Sequence, residues 1–111
     1  MLDVSTRSED KADIIEIEGE VDLYSSPALR KVLLELTKKK TSAIIVDLEK
    51  VKYMDSSGVA TLVEALQQVN KYKGKLKLVN LRDAVKDVFE LSRLDKVFDI
   101  SENLNEAKKA L

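Results

Sequence analysis

Chemistry in this chain must come from hydroxyls, carboxylates and amines, because the 111 residues contain neither cysteine nor histidine. Thiolate nucleophiles, disulfides and sulfur-ligated metals are excluded, along with the usual general base and the commonest metal ligand. The densest group of candidate side chains is Tyr53-Met54-Asp55-Ser56-Ser57-Gly58. An aspartate or serine before a run of helical periodicity reads as a cap, its oxygen accepting the first free N–H groups of the helix. A cap explains one such residue; it does not explain an aspartate, two adjacent serines and a glycine in the first turn, where glycine lowers helix propensity. The glycine, lacking Cβ, lets another backbone or a bulky group on a neighbouring serine come close. A phosphate on Ser56 would lie where helix N–H groups and the helix dipole favour an anion, with the Asp55 carboxylate opposing it. A second loop, Glu20-Val21-Asp22-Leu23-Tyr24-Ser25-Ser26, also runs directly into a helix start. Asp22 reads there as a solvated loop carboxylate or a cap.

The elements that must carry these loops follow from the apolar periodicity. Ile15, Ile17, Gly19, Val21 and Leu23 alternate with acidic residues, which predicts a strand with one buried face. A weaker strand around Leu2-Asp3-Val4 is expected to pair with it through Ser8-Glu9-Asp10-Lys11. Ser26 as N-cap and Pro27 at the first helical position predict a helix carrying Leu29, Val32, Leu33 and Leu36 inward. The apolar, β-branched run Ala43 to Leu48 predicts a central strand buried on both faces. Val59, Leu62, Val63, Leu66 and Val69 then mark a second helix, with Gly74 as its stop. Leu76 and Leu78 predict a strand, residues 82–91 a third helix with Val85, Val88 and Phe89 inward, Val97-Phe98 a last strand, and Leu104, Ala107 and Leu111 a terminal helix. The order β-β-α-β-α-β-α-β-α predicts an α/β fold: a small mixed, mainly parallel sheet of four to five strands with about four helices. In such sheets binding sites form beyond the carboxyl ends of the strands, where both loops fall.

Composition narrows the function. Nineteen basic and twenty acidic residues nearly cancel, so no strong field would attract nucleic acid. The clusters Lys38-Lys39-Lys40 and Lys71-Tyr72-Lys73 fall at expected helix C-termini, where cations complement the helix dipole. The longest apolar runs are far too short to span a bilayer, and Met1-Leu2-Asp3-Val4 lacks the basic and apolar pattern of a secretory signal. One domain covering 1–111, in the cytoplasm, without a cofactor or direct contact to membrane or nucleic acid, is the expectation.

Gly19-Glu20-Val21-Asp22, the strand Ile44-Ile45-Val46-Asp47-Leu48, the loop Tyr53-Met54-Asp55-Ser56-Ser57-Gly58 and the closing stretch Val85 to Leu94 followed by Val97-Phe98 together resemble bacterial anti-sigma factor antagonists, the stand-alone STAS domains. The resemblance runs end to end, with four segments in the right order. It implies a protein that is not an enzyme. Its unmodified form would bind an anti-sigma factor and so free a sigma factor for transcription. The anti-sigma factor, also a serine kinase, would phosphorylate Ser56 and lose its grip, and a metal-dependent serine phosphatase would restore the active form. On this carry-over Asp22 and Asp55 flank the modified hydroxyl, while Ser57 and Gly58 open the helix that faces the partner. The small residues Ser56, Ser57, Ala60 and Thr61 are expected to leave room for close approach, with Tyr53 and Met54 as anchors of a type interfaces favour. Two rivals remain: a STAS domain serving as scaffold or transport-system subunit, and a phosphoacceptor domain using Asp55.

Overall fold

The structure, a computed structural model, describes residues 2–111. Asp3–Glu9 (β1) and Ala12–Val21 (β2) form an antiparallel hairpin, followed by Ser26–Lys38 (α1), Ala43–Met54 (β3), Ser56–Lys71 (α2), Lys75–Val79 (β4), Asp83–Leu91 (α3), Asp99–Ser101 (β5) and Leu104–Lys109 (α4). The strands lie side by side in chain order, β1-β2-β3-β4-β5, and every pairing after the hairpin is parallel. This is the expected α/β architecture and element order.

Because each parallel crossover steps to the next strand in the same direction, α1, α2 and α3 stack on one face. Leu29, Leu33, Leu62, Ala65, Val69, Val85 and Phe89 close there over Ile15, Ile17, Ile44, Val46, Leu76 and Leu78 in one apolar core. Phe98 seals its end, edge-on to Phe89 with ring centroids 5.4 Å apart. The opposite face carries a smaller apolar cluster, Ala12, Ile14, Ala43, Ile45 and Val79, covered by Ala107 and Leu104 of α4. The rest of that face is laced with charge pairs: Arg7 with Glu16 at 3.1 Å, Lys50 with Glu16 at 3.4 Å, and Arg7 and Lys108 with Glu9. Lys77, 3% exposed, is tolerated there because Asp99 Oδ2 lies 2.5 Å from its Nζ. Among the described residues no helix is long and apolar enough to cross a membrane.

Several boundaries differ from the sequence expectation, each for a local reason. The hairpin turn is Asp10-Lys11, with Asp10 at φ 54°, so Ser8 and Glu9 belong to β1. The α1 N-cap is Ser25 rather than Ser26, which is buried. Leu23 lies beyond β2 and is 66% exposed. Helix α2 is closed by Lys73 in the left-handed conformation, φ 63°, with Gly74 N–H donating to the Val69 carbonyl. Gly74 matters for space instead: a Cβ there would lie 2.6 Å from the Tyr72 ring. The last strand comes after Val97-Phe98, because left-handed Arg93 starts a 3₁₀ turn, Leu94–Lys96, that delays it to Asp99. Finally, β3 continues to Met54, so Tyr53 and Met54 are strand residues rather than loop residues.

The long end of β3 does not keep the two-residue period of a strand. Asp47 pairs with Glu16 but Lys50 with Glu18, and Val51 pairs with Gly19 but Tyr53 with Glu20, so β3 twice carries one more residue than β2. Such bulges turn side chains that would face outward back toward one side. Leu48, Val51 and Met54, spaced by three, are consequently all buried beneath the helices.

Candidate functional site: two loops beyond the strand ends

Ladder pairing sets the site. Glu20 lies beside Tyr53 and Val21 beside Met54, so β2 and β3 end together and deliver their following loops side by side. Asp55 N–H donates to the Val21 carbonyl at 3.0 Å and ties the second loop to the first.

The first loop is organised by Asp22. Its Oδ1 accepts from the N–H groups of Tyr24 and Ser25, both at 2.9 Å, while its own N–H donates to Ser25 Oγ. Ser25 Oγ in turn donates to the Glu20 carbonyl at 2.8 Å. The hydrogen bond from the Ser25 backbone, opposed by partial desolvation and assisted by that from Tyr24, holds the Asp22 carboxyl below the usual aspartate range. Asp22 thus turns the loop, and in doing so it pushes Leu23 and Tyr24 outward, Tyr24 to 90% exposure. Neither was singled out from sequence as a contact residue. The signal was the Asp22-x-x-Ser25 spacing, which closes a turn on itself and leaves the two apolar residues inside it no inward direction.

The second loop is a single residue. Asp55, extended at φ −98° and ψ −172°, caps α2 by accepting from Ser57 N–H at 2.8 Å and Gly58 N–H at 3.3 Å. Ser56 is the first residue of α2, exposed, and its hydroxyl makes no hydrogen bond among the described residues. Of the N–H groups that a neighbouring anion would use, those of Ser57 and Gly58 are already occupied by the Asp55 carboxylate.

Gly58 has an internal purpose. A Cβ on it would lie 2.6 Å from Met54 Cγ and 2.7 Å from Val21 Cγ1, so only glycine lets the first turn of α2 settle on the ends of β2 and β3. The close approach inferred from sequence is real, but the approaching groups are the strand ends themselves. Met54, 1% exposed, is a support beneath the helix and offers no surface to a partner. Thr61 is likewise buried, its hydroxyl donating to the Ser57 carbonyl at 2.9 Å, which corrects its expected place on the open helix face. Ser57 is half-buried. What stands open is Ser56 and, one turn on, Ala60; at the neighbouring strand end and first loop Tyr53, at 49% exposure, Leu23 and Tyr24 are exposed as well. Further along, Arg30 of α1 clasps Glu64 of α2 through two hydrogen bonds of 2.6 and 2.9 Å and locks the two helices together. Among the described residues, no group of three or more acidic side chains converges to hold a metal ion.

The two loops thus present a small, preformed surface: a serine hydroxyl unpaired among the described residues, small residues on the same helix start, and on the adjoining strand end and loop exposed aromatic and aliphatic side chains with the carboxylates of Glu20, Asp22 and Asp55. Small residues bordered by exposed aromatic and aliphatic side chains suit a protein contact.

Comparison with known proteins agrees. The STAS domain family model matches residues 3–107. An anti-sigma-B factor antagonist of Staphylococcus aureus is 32% identical over 101 residues, covering 91% of this chain and 94% of that protein. In structure, an anti-sigma factor antagonist from Mycobacterium paratuberculosis superposes with a TM-score of 0.92 at 24% identity, covering 99% of this chain and 93% of its own. The Bacillus cell fate determinant SpoIIAA in its phosphorylated form superposes with a TM-score of 0.76 at 19% identity, covering 98% of this chain and 100% of its own. The family is regulatory rather than catalytic. The chain belongs to the STAS domain family, with anti-sigma factor antagonists as its relatives.

Proposed function

We propose that this chain, acting as one cytoplasmic domain, is an anti-sigma factor antagonist switched at Ser56. The unmodified form binds an anti-sigma factor that is also a serine kinase, and so releases a sigma factor. Phosphorylation of Ser56 ends the contact, and a serine phosphatase restores it. The observation that carries this reading is the state of the Ser56 hydroxyl: exposed, unbonded among the described residues, and at the centre of the open patch.

The electrostatics favour a switch that works by repulsion. A phosphoserine adds nearly two negative charges at pH 7. At a helix start it would ordinarily be stabilised by free N–H groups, but Asp55 already occupies those of Ser57 and Gly58. The added charge is left facing outward beside Asp55, Asp22 and Glu20, where a partner fitted to a neutral hydroxyl must bury it or withdraw. An uncompensated buried charge costs several kcal/mol, enough for a loss of affinity of about a hundredfold or more. No rearrangement of the domain is needed. A protein of the same fold has been solved in a phosphorylated form, which supports the compatibility of the fold with the modification.

In this reading the contact surface is Ser56, Ser57 and Ala60, rimmed by Leu23, Tyr24 and Tyr53. Asp22, Met54, Asp55, Gly58 and Thr61 act from beneath by fixing its shape. The test uses the purified kinase partner. Ser56→Ala is expected to bind it and take up no phosphate, while Ser56→Asp binds more weakly, though less so than the phosphorylated chain because it carries about half the charge. Phosphate uptake by Ser56→Ala at the wild-type rate would remove the assignment.

A further inference from the structure

The two edges of the sheet are protected unequally. Strand β5 is only three residues long, which by itself blunts an edge. Strand β1 runs for seven residues without a bulge against β2 and contains no proline or lysine. Ser5, Thr6, Arg7 and Ser8 are all exposed. Among the described residues, the outward N–H and C=O groups of β1 make no backbone hydrogen bond beyond its ladder with β2. A free strand of this length is a template for another strand.

We propose that β1 pairs antiparallel with β1 of a second copy of this chain, in a register centred on Ser5. The register follows from ladder geometry. In an antiparallel pair, opposed residues are either both hydrogen-bonded to each other or both turned away, and this alternates along each strand. A strand paired with its own copy therefore matches odd residues with odd and even with even. Of the three registers that overlap β1 by at least five residues, the one centred on Thr6 sets Asp3 against Glu9 and Glu9 against Asp3, and the one centred on Arg7 sets Arg7 against its own copy, like charges opposed in both. The one centred on Ser5 sets Asp3 against Arg7 of the second copy, Arg7 against its Asp3, and Val4 against its Thr6.

The charges left over in the single chain fit this register. Arg7 spends Nε on Glu9 and NH1 on Glu16, leaving NH2 without a partner among the described residues. Asp3 is exposed and has no ion-pair partner among them either. The pairing supplies each with the other. A single strand pair buries little surface, so the association is weak and concentration-dependent.

The experiment exploits the absence of native cysteine. Opposed residues in an antiparallel pair have Cα atoms about 4.5 to 5.5 Å apart, within disulfide range. Under mild oxidation Ser5→Cys should give a covalent dimer at least tenfold faster than Thr6→Cys, whose like residue is not opposite it. In sedimentation, the full chain should self-associate at high concentration. Asp3→Arg, which leaves the Arg7 pairs with Glu9 and Glu16 intact, should weaken that association about tenfold, because it turns two attractions into two repulsions. Circular dichroism on each variant checks that the fold persists. A chain that stays monomeric at every concentration overturns the proposal, as does Thr6→Cys linking as fast as Ser5→Cys, or Asp3→Arg associating as tightly as the wild type.

Discussion

The two ends of the parallel sheet are built alike and finished differently. At each end two neighbouring connections are tied together through the backbone. Beyond the strand carboxyl ends, Asp55 N–H reaches the Val21 carbonyl. At the other end Lys75 N–H reaches the Ser42 carbonyl and the Tyr72 hydroxyl donates to the Thr41 carbonyl at 2.8 Å. The difference lies in how the helix termini are satisfied. At the first end side-chain carboxylates set the backbone: Asp55 caps α2, and Asp22 turns the loop that leads into α1, which leaves Ser56 unused and presses Leu23 and Tyr24 outward. Helix C-termini at the second end are closed by the chain itself, with Lys40 and Lys73 in the left-handed conformation at φ 56° and 63°. Their exposed lysines lie where the helix dipoles favour cations, so the second end presents a closed, charged rim with its backbone satisfied. On the proposed reading the first end meets a partner, while the second stops two helices.

The sharpest way to break this comparison is to block the first end sterically. Ala60→Arg places a long cation one turn from Ser56 on the exposed side of α2, and we expect a loss of kinase-partner affinity of about a hundredfold, roughly 3 kcal/mol, with an unchanged melting temperature. Calorimetric titration reads the first and a thermal melt the second. Gly58→Ala attacks the same end from beneath. The added methyl meets Met54 and Val21 at under 3 Å. Overpacking of this kind costs about 1–3 kcal/mol, and the gain in helix propensity of up to about 1 kcal/mol offsets only part of it, so denaturant unfolding should show net destabilisation.

Smaller effects sharpen the contrast between side-chain and backbone closure. Asp55→Ala removes the N-cap of α2 and should cost about 1 kcal/mol in denaturant unfolding. At Asp22 the effect is confined to acid. Because hydrogen bonding lowers the folded-state pKa of its carboxyl, its contribution is fully present above the unfolded value near 3.9 and is lost as pH falls through the lower folded value. Tyrosine fluorescence from the Tyr24 loop should therefore be constant between pH 5 and 8 and change only below about pH 4. Last, Lys39→Glu and Lys73→Glu at the opposite end should alter partner affinity by less than about twofold at physiological salt, where exposed charges are screened. Should they weaken binding as much as Ala60→Arg, the functional assignment of the two ends would be reversed.

Sequence by itself determined the element order, the buried faces of α1, α2 and α3, the doubly buried start of β3 and the concentration of candidate chemistry at Asp55 to Gly58. These are legible because they rest on interactions within a turn or two of chain: helical and strand periods, a proline at a helix start, a carboxylate before a helix. Only the tertiary structure decided which of the site residues are surface. The bulges that bring Leu48, Val51 and Met54 to one side depend on the register against β2, and the burial of Thr61 and Met54 depends on how far α2 can descend onto the strand ends. That descent is set by the contact between Gly58, Met54 and Val21. Val21 lies 37 residues from Gly58 in the chain, and no local pattern in either segment records that the two meet. The αL closures at Lys40 and Lys73 were hidden for the opposite reason: packing overrides the usual preference for glycine there, since the next strand must begin within a few residues of the helix end.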